Sequence, residues 1–245
     1  MKKISIATGS MIVLALSAFS VFAQTQSRDD VIKELEAKRA ELAVLEQKIL
    51  AVADSDQSEF AAFLSQPQTG IFRLLPREVY MGNTKRGLAH PAGGALYSFV
   101  NASHEPAQVG YDIQLSYDIL SVGFAGADYG LIVNVGDTPL DQIVPEHATV
   151  RALLDYAPAR VEADARSIYQ KVGYGMDVSG VVFKSRLPAK VSNTYLLRSI
   201  SYDRSDIAVA FRVTRKDTDG SLIIIYKVLK NFPVPKLQRT QTASQ

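Results

Sequence analysis

The chain has 245 residues, of which 47% are hydrophobic and 21% are charged, a balance typical of a globular protein and not of a disordered or fibrous one. Cysteine is absent, which excludes disulfides, thiolate metal sites and cysteine nucleophiles. The formal net charge of +2 comes from 27 basic and 25 acidic residues, and removal of Lys2 and Lys3 with a leader would leave 25 of each. A neutral mature chain argues against nucleic acid as the main partner.

Residues 1–23 are predicted to form a secretory signal peptide. Lys2 and Lys3 precede an apolar run at residues 11–19, and residues 21–23 offer small or aliphatic side chains at the positions that a signal peptidase reads. A permanent membrane anchor is the alternative, but the hydrophobic centre is short and polar residues interrupt it. Gln24, and not cysteine, follows the expected cleavage site, which excludes lipid attachment through an N-terminal cysteine. We therefore predict an extracytoplasmic protein, periplasmic or secreted, with no permanent membrane span after cleavage.

Residues 24–65 are predicted to form a helical, coiled-coil-like arm. Between residues 29 and 53 there is no glycine or proline, and apolar residues recur at alternating steps of four and three, with Lys38 at the one missing position. Ser27 is placed to cap the start of the helix, followed by two aspartates in its first turn. We call the apolar positions the association stripe: Val31, Leu35, Leu42, Leu45, Ile49 and Val52.

An isolated helix cannot bury such a stripe, because helices depend mostly on tertiary packing for their stability. One interpretation is association between chains, either self-association or binding to another protein. The alternative is a helix folded back onto the β domain of its own chain. Three heptads are near the lower limit for a useful coiled coil, so both interpretations stay open at this point.

The rest of the chain is predicted to form an antiparallel β-rich domain, which gives an α+β fold. Residues 66–70 are interpreted as a linker, residues 71–237 as the β domain with at least one packed helix, and residues 238–245 as a disordered tail. The strongest signal is at residues 193–232, where three alternating segments are separated by two polar turns. The third segment is apolar on both faces, so both faces must be covered.

Other segments are predicted with less regular patterns. Residues 81–94 are rich in Gly, Asn, Lys and Pro, which favours an exposed loop. Residues 111–124 are interpreted as one strand whose apolar parity switches after Ile119, which a β-bulge or entry into a fully covered part of the sheet would explain. Residues 129–135 are predicted to form a hairpin with that strand, and Pro158 opens a helix that ends near Gly173.

Candidate chemistry is sparse. The histidines are His90, His104 and His147, and no two have the three- or four-residue spacing of a helical metal site, so zinc is not supported. His104 with Glu105 could supply a base in a loop-built site, although an exposed pair without function is the simpler explanation. Phosphate-loop, serine-elbow and zincin signatures are missing, and we expect no cofactor.

The turn at residues 217–220 has part of a calcium-loop pattern, but Arg215 and Tyr226 occupy two required ligand positions, so a hairpin turn is predicted instead. Tyrosines near the strands and twelve basic against four acidic residues from Lys184 onward suggest a glycan or anionic partner. Core tyrosines and a solvated basic face are the ordinary explanations.

The sequence thus predicts an exported, non-enzymatic binding or scaffold protein that associates through its N-terminal helix. The alternative is an extracytoplasmic hydrolase with a loop-built site around His104 and Glu105.

Overall fold

The structure is a computed structural model that describes residues 27–105, 110–124 and 126–238. The predicted signal peptide lies outside the described residues, as do residues 239–245 of the predicted tail. Among the residues that are described, no helix is both long enough and apolar enough to cross a membrane.

The described chain combines helices with antiparallel sheets, which confirms the α+β class. It divides into two units, one ending at Ala40 and the other beginning at Glu41. The α-helices of the described ranges are α1 (Arg28–Leu50), α2 (Asp54–Glu59), α3 (Ala61–Leu64), α4 (Arg77–Tyr80), α5 (Ala148–Asp155) and α6 (Glu162–Tyr174). Short 3-10 turns lie at Pro91–Gly94 and Leu140–Gln142.

The strands belong to three antiparallel sheets. They are β1 (Thr69–Leu74), β2 (Leu96–Tyr97), β3 (Ile113–Ser116), β4 (Ile119–Ser121), β5 (Tyr129–Asn134), β6 (Met176–Val178), β7 (Val181–Phe183), β8 (Arg186–Pro188), β9 (Thr194–Ser201), β10 (Ser205–Lys216) and β11 (Leu222–Asn231). The main sheet has the order β1-β11-β10-β9-β5, a second sheet has the order β2-β3-β4-β8, and β6 pairs with β7. The predicted three-strand meander is confirmed as β9, β10 and β11.

The main sheet is covered on both faces, as its apolar strands require. Phe211 and Ile224 face a core shared with the second sheet, where Leu115 and Leu120 pack. Ala210 and Ile225 point the other way, into a core shared with α5, α6 and the β6–β7 hairpin. Alternation along each strand therefore sends neighbouring side chains into two separate cores.

The segment 111–124 is a hairpin, so the predicted single strand with a bulge is wrong. β3 and β4 are joined at Tyr117 and Asp118, whose φ angles of 49° and 60° are those of a type I′ turn. The turn pairs Leu115 with Leu120, so the buried positions change from odd to even numbers while both strands turn the same face to the core, and this explains the parity switch in the sequence. The predicted hairpin at residues 129–135 is also wrong, because β5 pairs with β9.

Three further features of the structure differ from the predictions. Thr69 and Gly70 begin β1 and are not part of a linker. His90 is buried in the loop that was predicted to be exposed. Gln238, expected in the tail, pairs with Val161 at the start of α6, and its amide donates to the Arg160 carbonyl oxygen at 2.8 Å.

The predicted N-cap of α1 is confirmed, because the Asp30 amide donates to Ser27 Oγ at 3.1 Å. The arm is not one helix, however. α1 ends at Leu50 and is followed by two short helices, so Val52 lies beyond the helix that carries the rest of the association stripe.

A buried ion pair joins β9, β10 and α5. Arg198 Nε and Nη2 each donate to an Asp206 carboxylate oxygen at 2.8 Å, and both side chains are 2% exposed. Arg198 Nη1 donates to the Leu153 and Tyr156 carbonyl oxygens, at 3.0 and 2.6 Å, at the C-terminal end of α5. The guanidinium carbon lies 3.6 Å from the centre of the Phe232 ring. The charge is thus paired, hydrogen-bonded and stacked, which is what burial of an arginine requires.

We expect Asp206→Asn to lower the free energy of unfolding by about 3 to 5 kcal/mol, because it leaves the Arg198 charge buried without its counter-ion. Urea denaturation of the purified chain measures this loss. Asp203→Asn is the matched control, since Asp203 pairs with Lys236 at 3.1 Å in solvent and should cost less than about 1 kcal/mol. Equal losses in the two variants would show that the buried pair has no special structural role.

Candidate functional site

The association stripe is exposed along α1. In the first unit Val31 and Leu35 are 48% and 47% exposed. In the second unit Leu42, Leu45 and Ile49 are 45%, 55% and 39% exposed. Five of the six predicted positions therefore present apolar surface to solvent, while Val52 is half-buried.

The C-terminal end of α1 belongs to the second unit and packs within that unit through a neighbouring face of the helix. Glu46 and Leu50 are buried, and each follows a stripe residue by one position, which turns it about 100° around the helix axis. Glu46 Oε1 accepts the Ala89 amide at 2.6 Å, and Leu50 packs with Leu75 and Tyr80. The fold-back alternative required the stripe itself to be buried, and for Leu42, Leu45 and Ile49 it is not.

A cavity of about 410 Å³ lies next to this helix end, in the second unit. Leu50 and Val52 line it from the end of α1 and the residues that follow, and Phe72 and Tyr97 line it from β1 and β2. Its polar lining consists of Gln47, Gln57, His90, Ser103, His104 and Glu105. The cavity therefore gathers two of the three histidines and the predicted glutamate.

His104 is held in one tautomer inside this cavity. Its Nδ1 atom lies 2.7 Å from the Leu96 carbonyl oxygen, and because a carbonyl only accepts, Nδ1 carries the proton. Its Nε2 atom is buried and has no hydrogen-bond partner among the described residues. Burial lowers the pKa of His104 from 6.5 to about 4, opposed by the Leu96 carbonyl and assisted by the neighbouring His90. His104 is therefore neutral near pH 7.

His90 and Glu105 form a second pair beside it. His90 Nδ1 lies 3.7 Å from Glu105 Oε1, and the two side chains are 4% and 65% exposed. The rings of His90 and His104 are 5.9 Å apart, nearly perpendicular. His90 Nε2 is also buried without a partner in the described part of the chain. The sequence prediction joined Glu105 to His104, whereas the ion-pair distance in the structure is to His90.

Metal binding has no support among the described residues, where no group of three His, Asp or Glu side chains could hold an ion. The turn at residues 217–220 joins β10 to β11, which confirms the hairpin interpretation. Asp217 Oδ2 lies 2.9 Å from Arg73 Nη1, and Asp219 accepts from Tyr80 Oη at 2.5 Å. Burial alone would raise the pKa of Asp219, but hydrogen bonds from Ser221 and Tyr80 hold it below its usual value.

The features that suggested a glycan or anionic partner are weakened by burial of most of the tyrosines and by pairing of many of the basic residues. Tyr97, Tyr129, Tyr195, Tyr202 and Tyr226 are buried, whereas Tyr117 is 76% exposed in the β3–β4 turn. Of the eleven basic residues between Lys184 and Gln238 that the structure describes, six lie within ion-pair distance of a carboxylate: Arg198, Arg204, Arg212, Arg215, Lys216 and Lys236. Buried tyrosines cannot stack on a sugar, and paired cations attract anions less strongly.

Comparison with known proteins gives no relative from which a function could be transferred. No protein-family model, no curated protein and no solved structure matches this chain.

Sequence reasoning missed the proximity of His90 to His104. Fourteen positions separate them, and the segment between contains β2, so their contact depends on how the loop 81–94 returns to the end of α1. The sequence carries no signal for this contact, because Glu46, whose buried carboxylate accepts the Ala89 amide, adjoins a stripe residue just as the exposed Glu34, Glu36 and Glu41 do.

We expect His104 to make folding stability pH-dependent. In the unfolded chain His104 binds a proton below pH 6.5, whereas in the folded chain it does so only below about pH 4. Its contribution is complete above pH 6.5 and is lost as the pH falls towards 4, by about 3 kcal/mol in total. Urea denaturation across this range measures the slope.

His104→Asn keeps a donor near the Nδ1 position but cannot titrate, so its unfolding free energy should fall less steeply with acid than that of the wild type. His147→Asn, at an exposed position, is the matched control and should keep the wild-type slope. If His104→Asn also keeps that slope, His104 is protonated equally in both states.

Proposed function

We propose that the protein is an exported, non-enzymatic scaffold that self-associates through the association stripe of α1. The observation that carries this proposal is the exposure of Leu42, Leu45 and Ile49 on a helix whose adjacent face is already occupied. The end of α1 is fixed by Glu46 and Leu50, so these three side chains remain outside the fold of their own chain. Apolar side chains in heptad register are typical of surfaces that pair with another helix.

A second copy of the chain is the occupant that the helix itself favours. α1 carries five basic and six acidic residues, so two copies can approach without strong net repulsion. The stripe is also self-complementary, since steps of four and three in one helix match the same steps in another. Each leucine that a partner buries contributes ~1.5 to 3 kcal/mol.

Export is the second part of the proposal and is supported by the residue pattern at the N-terminus. It predicts a protein released beyond the inner membrane, where the stripe would meet other copies of the same chain. A hydrolase around His104 and Glu105 is the alternative function. The structure supports it less, because a histidine with a pKa of about 4 is a weak base near pH 7.

We expect the mature chain to be an oligomer that becomes a monomer when Leu42 and Leu45 are both replaced by Gln. The two side chains are 45% and 55% exposed within the chain, so the change should leave the β domain folded. Light scattering measures the mass, and circular dichroism monitors the β-sheet signal.

Val44→Gln is the matched control, because Val44 is 59% exposed on the same helix but lies off the stripe. It should keep the wild-type mass. A monomeric wild type, or loss of mass in the control as well, would contradict self-association through the stripe.

We expect mass spectrometry of the exported protein to find its N-terminus at Gln24, because the predicted cleavage follows Ala23. Replacing Ala23 with Arg should block cleavage and leave the leader attached, whereas Gln26→Arg, beyond the predicted site, should be processed normally. Native protein that begins at Met1 would overturn the prediction of export.

A further inference from the structure

The association stripe has the same spacing in both directions along α1. Its core positions within the helix, including the one that Lys38 occupies, fall at residues 31, 35, 38, 42, 45 and 49. The steps between them are four, three, four, three and four, because α1 ends at Leu50 and Val52 lies beyond it. A second copy can therefore oppose every core position in the parallel and in the antiparallel direction.

The charged residues beside the stripe do not decide between the two directions. In a parallel pair, an attractive contact joins Glu34 to Arg39 of the second copy, and a repulsive one sets Glu41 against Glu46. In an antiparallel pair Glu34 faces Lys48, whereas Glu41 and Arg39 each face their own counterpart. Attractive and repulsive contacts are thus equal in number in both directions, and exposed pairs contribute little. The difference lies in the core of the seam.

A parallel pair sets two like charges against each other in that core. In such a pair each core residue faces its own counterpart, so the two Lys38 ammonium groups meet inside the seam. Like charges that face each other across an interface are strongly unfavourable, and salt screens them less there than at the surface. Lys38 therefore opposes the parallel direction.

An antiparallel pair centred on residue 40 sets Lys38 against Leu42 of the second copy. The stem of Lys38 packs along this leucine, and its ammonium group extends towards the carboxylate of Glu41, the preceding residue. The paired region covers residues 30–50, nearly the whole of α1. The other core contacts are apolar: Val31 with Ile49, and Leu35 with Leu45.

We propose that two copies of α1 pair in the antiparallel direction, with Lys38 of each copy facing Leu42 of the other. The orientation rests on self-association through the stripe, which is the proposed function, and adds which end of one helix meets which end of the next. A single charged residue in an apolar seam is a known means of fixing how helices pair.

Disulfide formation in the mature chain tests the orientation, because the sequence has no cysteine of its own. Val31→Cys and Ile49→Cys are made in separate chains, one of which carries a tag that distinguishes it on a gel. These positions face each other in an antiparallel pair but lie about 27 Å apart along the axis of a parallel pair. In a glutathione redox buffer the mixed disulfide should form at least about fivefold more than the disulfide dimer of either chain alone. The same mixture carrying Leu42→Gln and Leu45→Gln should form none.

Lys38→Leu should remove the preference for one direction, because the seam is then apolar at every core position. Each single-cysteine chain should then form its own disulfide dimer about fivefold more than before. Lys33→Leu is the matched control, since it makes the same change at an exposed position on the face of α1 opposite the stripe. It should leave the mixed disulfide as the main product.

The possible failures separate the orientation from self-association. Disulfide dimers of each chain alone, with little mixed product, would show a parallel pair and overturn the orientation while self-association stands. A monomeric wild type by light scattering, with no disulfide in any mixture, would overturn both. An oligomeric wild type without any disulfide, or a mixed disulfide that persists when Leu42 and Leu45 are replaced, would place the association outside the stripe. An unchanged product pattern in Lys38→Leu would show that Lys38 does not set the direction.

Discussion

The buried ion pair between Arg198 and Asp206 is the constraint on which the rest of the structure depends. β9 and β10 each place one charged side chain on the face that α5 covers, where solvent cannot screen them. The two charges must therefore meet, and this fixes the register of the two strands. The remaining guanidinium donor closes the C-terminal end of α5, where unpaired carbonyls need a donor and the helix dipole favours a cation.

The same logic explains the uneven charge along the sequence. The last third of the chain is rich in basic residues, yet many of their partners come from distant segments. Arg215 pairs with Asp56 and Asp217, and Lys216 pairs with Asp118 at 2.7 Å. These pairs raise the pKa of Arg215 through hydrogen bonds to Asp217 and Asp56. The basic residues of this region therefore form ion pairs that join the sheet to a helix and to turns. Their excess in the sequence is not by itself evidence for a binding surface.

The alternation of apolar and polar residues predicted the strands that pair with their neighbours in the chain. It did not predict pairing between strands that are distant in the chain. The meander of β9, β10 and β11 was predictable, because period-two alternation and two polar turns determine neighbouring strands. Residues 111–124 show the limit, since a parity switch fits both a bulge and a two-residue turn. Tyr117 and Asp118 adopt positive φ without glycine, so the usual turn signal was missing. The pairing of β5 with β9 depends on the whole sheet, which no local pattern reports.

The end of α1 shows how the two candidate surfaces arise from one helix turn. Ile49 faces outward with the association stripe, whereas Leu50, one position later, packs with Leu75 and Tyr80 and lines the histidine cavity. The heptad steps identified the first surface because they are periodic. The second depends on Glu46 accepting the Ala89 amide, which brings the loop carrying His90 towards the helix. The buried face of this helix end therefore carries both Leu50 and the Glu46 hydrogen bond, whereas the stripe lies on the neighbouring face, which has no contact of this kind among the described residues.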